Sequence, residues 1–126
     1  MNGDSIITTR KEPRMNLRQK SCKPCEKGGR PLDETAEDGL LQELSAWNIE
    51  RSGVHYLIKR FSFGTFKEAV GFVNNLAFLA ESEGHHPSIR IDYRTVSIEL
   101  TTHAYKGLSE NDFILAAKID NIYSIA

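Results

Sequence analysis

The stretch from residue 89 to residue 100 constrains the fold more than any other part of the chain. Apolar side chains occupy alternate positions on either side of Arg94-Thr95, first at Ile89, Ile91 and Tyr93 and then at Val96, Ile98 and Leu100. A period of two is that of a strand with one buried face. Two such runs joined by a short turn predict a β-hairpin with one apolar face.

The rest of the chain supplies further elements of both types. Asp33 is a good N-cap for a helix, and Thr65-Phe66-Lys67-Glu68 is a capping box that opens a second helix. We expect the apolar stripe of the second helix to include Phe66 and Ala77. The predicted elements are a helix at 33–45, strands at 47–50 and 54–63, a helix from about 65 to 83, the hairpin, and a last helix from 109.

This order of elements, α-β-β-α-β-β-α, predicts a single α+β domain in which helices pack on one face of an antiparallel four-stranded sheet. The 126 residues suffice for one domain with a modest core, and 40% hydrophobic with 26% charged residues is a globular composition. No apolar run approaches the length of a membrane span, and no signal-peptide pattern is present. We therefore expect a cytoplasmic protein, with organelle targeting by the N-terminal part left open.

Residues 1–30 differ from the remainder in charge, with a net charge of +5 against −6 for the other 96 residues. They include no aromatic residue for base stacking and show no periodicity. We therefore expect a flexible, solvated extension rather than a nucleic-acid-binding arm. Gly28-Gly29 and Pro31 mark its end, which divides the chain into an extension at 1–30 and a folded domain at 31–126.

The residues best suited to chemistry, His85-His86-Pro87, immediately precede the hairpin. Pro87 disfavours a helical conformation at His86, so the pair should be extended, with its rings on opposite sides of the chain. Imidazoles titrate near neutral pH, which suits them to proton transfer or to hydrogen bonds with a polar ligand. Two surface histidines in a loop without a function are the alternative, and the pattern alone leaves both open.

Three other polar residues are candidates for the same site. Glu81 lies in the last turn of the second predicted helix, where the helix dipole makes a carboxylate slightly unfavourable. This small energetic cost is easier to explain if Glu81 forms a hydrogen bond with one of the histidines. If the alternation of the second hairpin strand continues, His103 lies at the strand's exit on the same face as Glu99 and Thr101. Asp112 has the spacing of a capping residue for the last helix. Capping alone would account for an acidic residue at this position, without any role in the site.

Together these residues resemble the pattern of the pterin-4a-carbinolamine dehydratase family. That pattern has an acidic residue before His-His-Pro, then an aromatic residue, a Thr-His near the end of the next strand, a Gly-Leu and an Asp. The resemblance extends over nearly all of residues 22–120, and the combined motif is far more specific than His-His-Pro alone. The matching residues are Glu81, His85-His86-Pro87, Tyr93, Thr102-His103, Gly107-Leu108 and Asp112.

The resemblance implies a dehydratase that eliminates water from a 4a-hydroxytetrahydropterin to give quinonoid dihydropterin in tetrahydrobiopterin recycling. It implies a pathway shared with aromatic amino acid hydroxylases, no metal, no cofactor, and a homodimer or homotetramer whose sheet extends across the dimer. It also implies that His85 and His103 protonate the leaving hydroxyl and that His86 binds and orients the pterin. The residues expected to support them or to contact the substrate are Glu81, Pro87, Thr102 and Asp112.

Two alternatives remain open. Members of this family also act as non-enzymatic interaction proteins, either as a dimerisation partner of a transcription factor or in Rubisco assembly, although the assembly relatives tend to lose the catalytic histidines. A metal-binding module would use Cys22 and Cys25, whose spacing is that of half a zinc site or of a redox pair. No second such pair is present to complete four ligands, which favours reduced thiols in a loop.

Overall fold

The computed structural model describes residues 16–125 and confirms the predicted α+β class and element order. Short 3₁₀ turns at Leu17–Gln19 and His103–Tyr105 accompany the main elements. None of the helices within residues 16–125 combines the length and the apolar character that a membrane-spanning helix needs. The helices are α1 (Glu34–Leu41), α2 (Phe66–Glu83) and α3 (Glu110–Ser124), and the strands are β1 (Asn48–Glu50), β2 (Tyr56–Ser62), β3 (Ser88–Asp92) and β4 (Thr95–Leu100).

The four strands form one antiparallel sheet in the order β1-β2-β4-β3, so β4 lies in the interior and β3 lies at an edge. Alternate residues of β2 and β4 face the helices and join the buried faces of α2 and α3 in one core. The five core residues of these two strands are at most 1% exposed: Leu57, Phe61, Val96, Ile98 and Leu100. The intervening residues of these strands, most of them polar, lie on the other face of the sheet.

The helix starts follow local sequence signals. The Asp33 carboxylate accepts a hydrogen bond from the Ala36 N–H at 2.9 Å, and the Thr65 hydroxyl accepts one from the Glu68 N–H at 3.1 Å. Helix α1 is shorter than predicted and ends at Leu41 rather than near residue 45. The chain instead turns, with Ala46 in the left-handed region at φ 65°, and the turn brings Trp47 into the core at 4% exposure.

The buried face of α2 differs from the predicted stripe. Phe66 is 53% exposed at the first position of the helix, whereas Phe72, which the pattern did not include, is buried. Phe72 packs against the rings of Phe61 and Tyr123, with centroids 5.2 and 5.8 Å away. The buried positions Ala69, Phe72, Leu76 and Ala80 keep helical spacing, and Ala77 is exposed because it lies about 100° around the helix from Leu76.

Edge strand β3 pairs Ile89 with Ile98 and Ile91 with Val96, so both isoleucines face the core side. Each is nevertheless 37% exposed, because no further strand continues the sheet beyond β3 within the described residues. The turn of this hairpin lies at Tyr93-Arg94 rather than at Arg94-Thr95. Tyr93 adopts φ 55° there and is 67% exposed, so it does not take part in the alternation.

Residues 16–30, which the composition assigns to an extension, contact the domain. Leu17 is 3% exposed and belongs to the hydrophobic core. The Cys22 N–H donates to Glu83 at 2.8 Å, and the Lys23 N–H donates to the Asn111 side chain at 2.9 Å. This segment therefore contacts both the end of α2 and the start of α3. Residues 1–15 lie outside the described part, and the boundary at residue 31 stays a prediction.

We expect Cys22 to react with a thiol reagent at least tenfold more slowly than Cys25 at pH 8. Burial, and then the neighbouring Glu83 carboxylate, raise the pKa of the half-buried Cys22 to about 12, so its reactive thiolate is scarce, whereas Cys25 is exposed. The rates are measured on Cys25→Ser and Cys22→Ser, each of which keeps one thiol. Equal rates in the folded variants would contradict this expectation, and equal rates in denaturant serve as the control.

Candidate functional site

His85 is buried between the end of α2 and the start of α3. Its Nε2–H donates to Asp112 Oδ1 at 2.6 Å, across 27 residues of sequence, and the ring is 9% exposed. A carboxylate only accepts, so this contact places the proton of a neutral His85 on Nε2 and leaves Nδ1 free of it. The left-handed conformation of Gly84, φ 66°, ends α2 and turns the chain into this position.

Asp112 is fully buried and accepts three hydrogen bonds. Besides His85, the Ser109 N–H donates to Oδ2 at 2.9 Å, and the Thr102 hydroxyl donates to the same oxygen at 2.7 Å. The Thr102 hydroxyl has only one hydrogen, so the Ser109 hydroxyl, 2.7 Å away, donates to it. Asp112 therefore caps α3, as its spacing indicated, and in addition holds His85 and the end of β4.

His86 points to the other side of the chain and is exposed. Its Nε2–H donates to the Glu81 carboxylate at 2.5 Å, a contact that spans the last turn of α2. Extended backbone after Gly84 separates the two rings in this way, which agrees with the effect expected of Pro87. The two neighbouring histidines thus each have a carboxylate partner, one buried and one exposed to solvent.

A cleft of about 370 Å³ opens on the face of the sheet that the helices do not cover. Its volume is at the lower end of the range for small-ligand sites. His86 and His103 both line it, whereas His85 is not among its lining residues and contacts Asp112. The seven lining residues are Val54, Tyr56, His86, Ser88, Glu99, Thr101 and His103.

Larger clefts of about 680 and 720 Å³ exist elsewhere in the described part, but neither is lined by a histidine. Chemistry rather than volume therefore selects the smaller cleft as the candidate site. The structure places Glu81 and Asp112 against His86 and His85, and Thr102 against Asp112. Pro87 directly follows His86 and makes no side-chain hydrogen bond because it has no donor or acceptor there.

Sequence reasoning gave no role to Tyr56, Ser88 and Val54, which also line this cleft. The alternation of β2 and β4 was the available signal, because it puts Tyr56, Glu99 and Thr101 on the polar face. Burial, followed by the Glu99 and Glu50 carboxylates, raises the pKa of the Tyr56 phenol. Tyr56 is therefore a neutral hydrogen-bond donor at physiological pH.

The fourth histidine, His55, lies outside this cleft and has a structural partner. Its Nδ1 is 2.8 Å from Glu37, a fully buried carboxylate that Arg51 also contacts at 2.9 Å. Glu37 lies in the first turn of α1, where a carboxylate suits the helix dipole, and that position alone does not predict its burial. Among the described residues, no three His, Cys, Asp or Glu side chains are close enough together to hold a metal ion.

Fold and site together define an α+β protein with a histidine-lined cleft suited to proton transfer on a small polar ligand. The sequence profile of the family described as pterin 4 alpha carbinolamine dehydratase matches residues 30–122. The chain belongs to the pterin-4-alpha-carbinolamine dehydratase family.

Individual relatives agree with this. An inferred pterin-4-alpha-carbinolamine dehydratase from Nitrosospira multiformis is 42% identical over 110 residues, which cover 87% of this chain and 95% of that protein. A homologue from Rickettsia bellii with the same inferred assignment is 44% identical over 106 residues, 83% of this chain and 92% of that protein.

Two solved structures share the fold. The transcriptional coactivator/pterin dehydratase from Brucella melitensis superposes with a TM-score of 0.70 at 30% identity, covering 74% of this chain and 98% of that chain. A pterin dehydratase-like protein identified as a RuBisCO assembly factor in the alpha-carboxysome gives a TM-score of 0.55 at 30% identity, covering 63% and 90% of the two chains.

Proposed function

We propose that this protein is a 4a-hydroxytetrahydrobiopterin dehydratase. It eliminates water from a 4a-hydroxytetrahydropterin and returns quinonoid dihydropterin to tetrahydropterin recycling. The observation that carries this proposal is the pair His86 and His103 on one small cleft, in a chain of this family. Two imidazoles that face one ligand can give and take protons near neutral pH.

The reaction needs two proton transfers. The bond between C4a and its hydroxyl oxygen breaks, and an acid must protonate that oxygen so that it leaves as water. The adjacent ring nitrogen, N5, loses its proton while its electron pair forms the double bond to C4a. A positioned imidazole contributes typically about 10²–10⁴-fold to such a transfer, so the side chains of the cleft are sufficient for the chemistry.

In this mechanism His103 protonates the leaving hydroxyl from the mouth of the cleft. His86, which Glu81 holds by its Nε2, binds and orients the pterin. His85 acts as the second donor; because Nε2 already donates to Asp112, it donates from Nδ1 of its doubly protonated form. The imidazole that has given its proton to the leaving hydroxyl then accepts the proton that N5 releases, so the histidines return to their starting forms. Thr102 and Asp112 position His85, and Pro87 keeps His86 extended towards the cleft.

The proposal also includes the oligomeric state and the cellular location of the protein. Ile89 and Ile91 leave apolar surface exposed at the sheet edge, which supports a homodimer formed by pairing β3 with a second copy. Pairing of such dimers gives the homotetramer. A cytoplasmic location, beside the aromatic amino acid hydroxylases that generate the substrate, completes the proposal.

A non-enzymatic interaction role is the second candidate. Its support is that one solved relative is described as a transcriptional coactivator/pterin dehydratase and the other as a RuBisCO assembly factor. On this chain, Phe78 of α2 is 80% exposed and offers an apolar contact away from the cleft. The presence of all three motif histidines, His85, His86 and His103, favours the enzyme.

The deciding experiment follows dehydration of freshly generated 4a-hydroxytetrahydropterin with and without the purified protein. We expect catalytic amounts of protein to accelerate the reaction clearly over its spontaneous rate. The fluorescence of Trp47, which is buried, reports in the same samples whether the protein is folded. Folded protein that gives no acceleration would refute the dehydratase and leave the interaction role.

A further inference from the structure

Glu99 is a carboxylate on the cleft that the proposed mechanism does not use. It lies on the interior strand β4, where its backbone pairs with Ile58 on one side and Ser88 on the other. The side chain lines the cleft with His86 and His103. Within residues 16–125, Glu99 makes no side-chain hydrogen bond and no ion pair to another residue.

The position of Glu99 is rigid, although its side chain is exposed. Strands on both sides restrain its backbone, and a site residue on such a strand is held more accurately than one on a loop. Tyr56 lies near it, since the Glu99 carboxylate acts on the Tyr56 phenol across the same face of the sheet. A phenol donor and a carboxylate acceptor therefore both line this cleft.

His86 lies two residues before Ser88, which pairs with Glu99, and His103 lies four positions after Glu99 along the chain. Glu99 and both imidazoles line one cleft of about 370 Å³, so a single small ligand can contact all three side chains. The pyrimidine ring of a pterin presents two neighbouring N–H donors, at N3 and at the 2-amino group. The two oxygens of a carboxylate match such a pair of donors.

We propose that Glu99 binds the N3 and 2-amino N–H groups of the pterin and thereby directs C4a towards His86 and His103. This inference rests on the proposed function and deepens it, because it assigns the residue that recognises the pyrimidine edge. Glu99 is a binding residue here and takes no part in proton transfer. It selects ligands with a 2-amino-4-oxo pyrimidine over those without these donors.

The test uses 6-methyl-7,8-dihydropterin and its N2,N2-dimethyl derivative, which lacks the 2-amino hydrogens, titrated calorimetrically into the full chain. We expect wild-type protein to bind the parent about tenfold more tightly than the derivative. Glu99→Gln should weaken parent binding by about tenfold and reduce the preference to threefold or less, because the amide offers one acceptor only. Its KM for dehydration should rise more than its kcat falls.

Glu50→Gln is the matched control, since Glu50 also lies near Tyr56 but does not line the cleft. It should keep the wild-type preference. Glu99→Gln protein with the wild-type preference would overturn the role of Glu99 while wild-type dehydration still upheld the dehydratase. Wild-type protein that binds neither pterin and accelerates nothing would overturn both.

Discussion

Replacing His103 with alanine is expected to lower kcat/KM for dehydration by about 100-fold or more. His103 lies in the exposed turn that follows β4 and lines the cleft, so its loss removes an imidazole from the cleft without opening the core. The fold should therefore be unaffected, with an unfolding free energy within about 0.5 kcal/mol of wild type. The measurement is dehydration of enzymatically generated 4a-hydroxytetrahydropterin, combined with urea denaturation.

Two companion variants sharpen this result. His86→Ala should lower kcat/KM by at least about tenfold, which corresponds to about 1.4 kcal/mol of transition-state stabilisation. Lys106→Gln changes another exposed side chain in the same turn as His103 and should leave the activity unchanged. Wild-type turnover in the His103→Ala variant would remove His103 from its assigned role as an acid. Equal losses in His103→Ala and Lys106→Gln would indicate damage to the turn instead.

Asp112→Ala is expected to reduce the unfolding free energy by about 3 kcal/mol or more. The substitution leaves three buried donors without their acceptor: the His85 Nε2–H, the Thr102 hydroxyl and the Ser109 N–H. An unmade buried hydrogen bond costs about 1–3 kcal/mol, and these groups lie between α3 and β4, where water does not replace the carboxylate. Urea denaturation followed by Trp47 fluorescence measures the change.

The variant Asp112→Asn distinguishes the contribution of Asp112 to stability from its effect on the orientation and protonation of His85. The amide keeps the shape and one acceptor oxygen, so most of the stability should remain. Its nitrogen cannot accept from His85, so His85 must move its proton to Nδ1 or lose the contact. We therefore expect a loss of dehydration activity that exceeds the loss of stability. The exposed Asp92→Asn is the control. Stability within about 1 kcal/mol of wild type for Asp112→Ala would contradict the buried network.

Several predictions from sequence were correct because the relevant signals are local. The N-caps Asp33 and Thr65 act within three residues of the helices that they open. The alternation of Val96, Ile98 and Leu100 reflects the geometry of a single strand, and all three are buried as expected. The opposite directions of His85 and His86 follow from an extended backbone before Pro87.

The errors arose where packing between distant segments decides. Phe66 and Phe72 both belong to an apolar helix pattern, but only Phe72 meets the aromatic residues Phe61 and Tyr123. The end of α1 at Leu41 depends on the burial of Trp47, which hydrogen-bonds to Asp120 of α3, 73 residues away. The burial of Glu37 depends on Arg51 and His55, which follow in the next segments.

For the site, the amino-acid sequence establishes which residues are available: two adjacent histidines held extended by proline, a third at a strand exit, and carboxylates at two helix ends. Which partner each of them has follows from the packing of the folded chain. It buried His85 against Asp112, left His86 on Glu81, and put His86, His103 and Glu99 around one cleft. Backbone geometry fixes the direction of a side chain, whereas its partners depend on how α2, α3 and the sheet pack together.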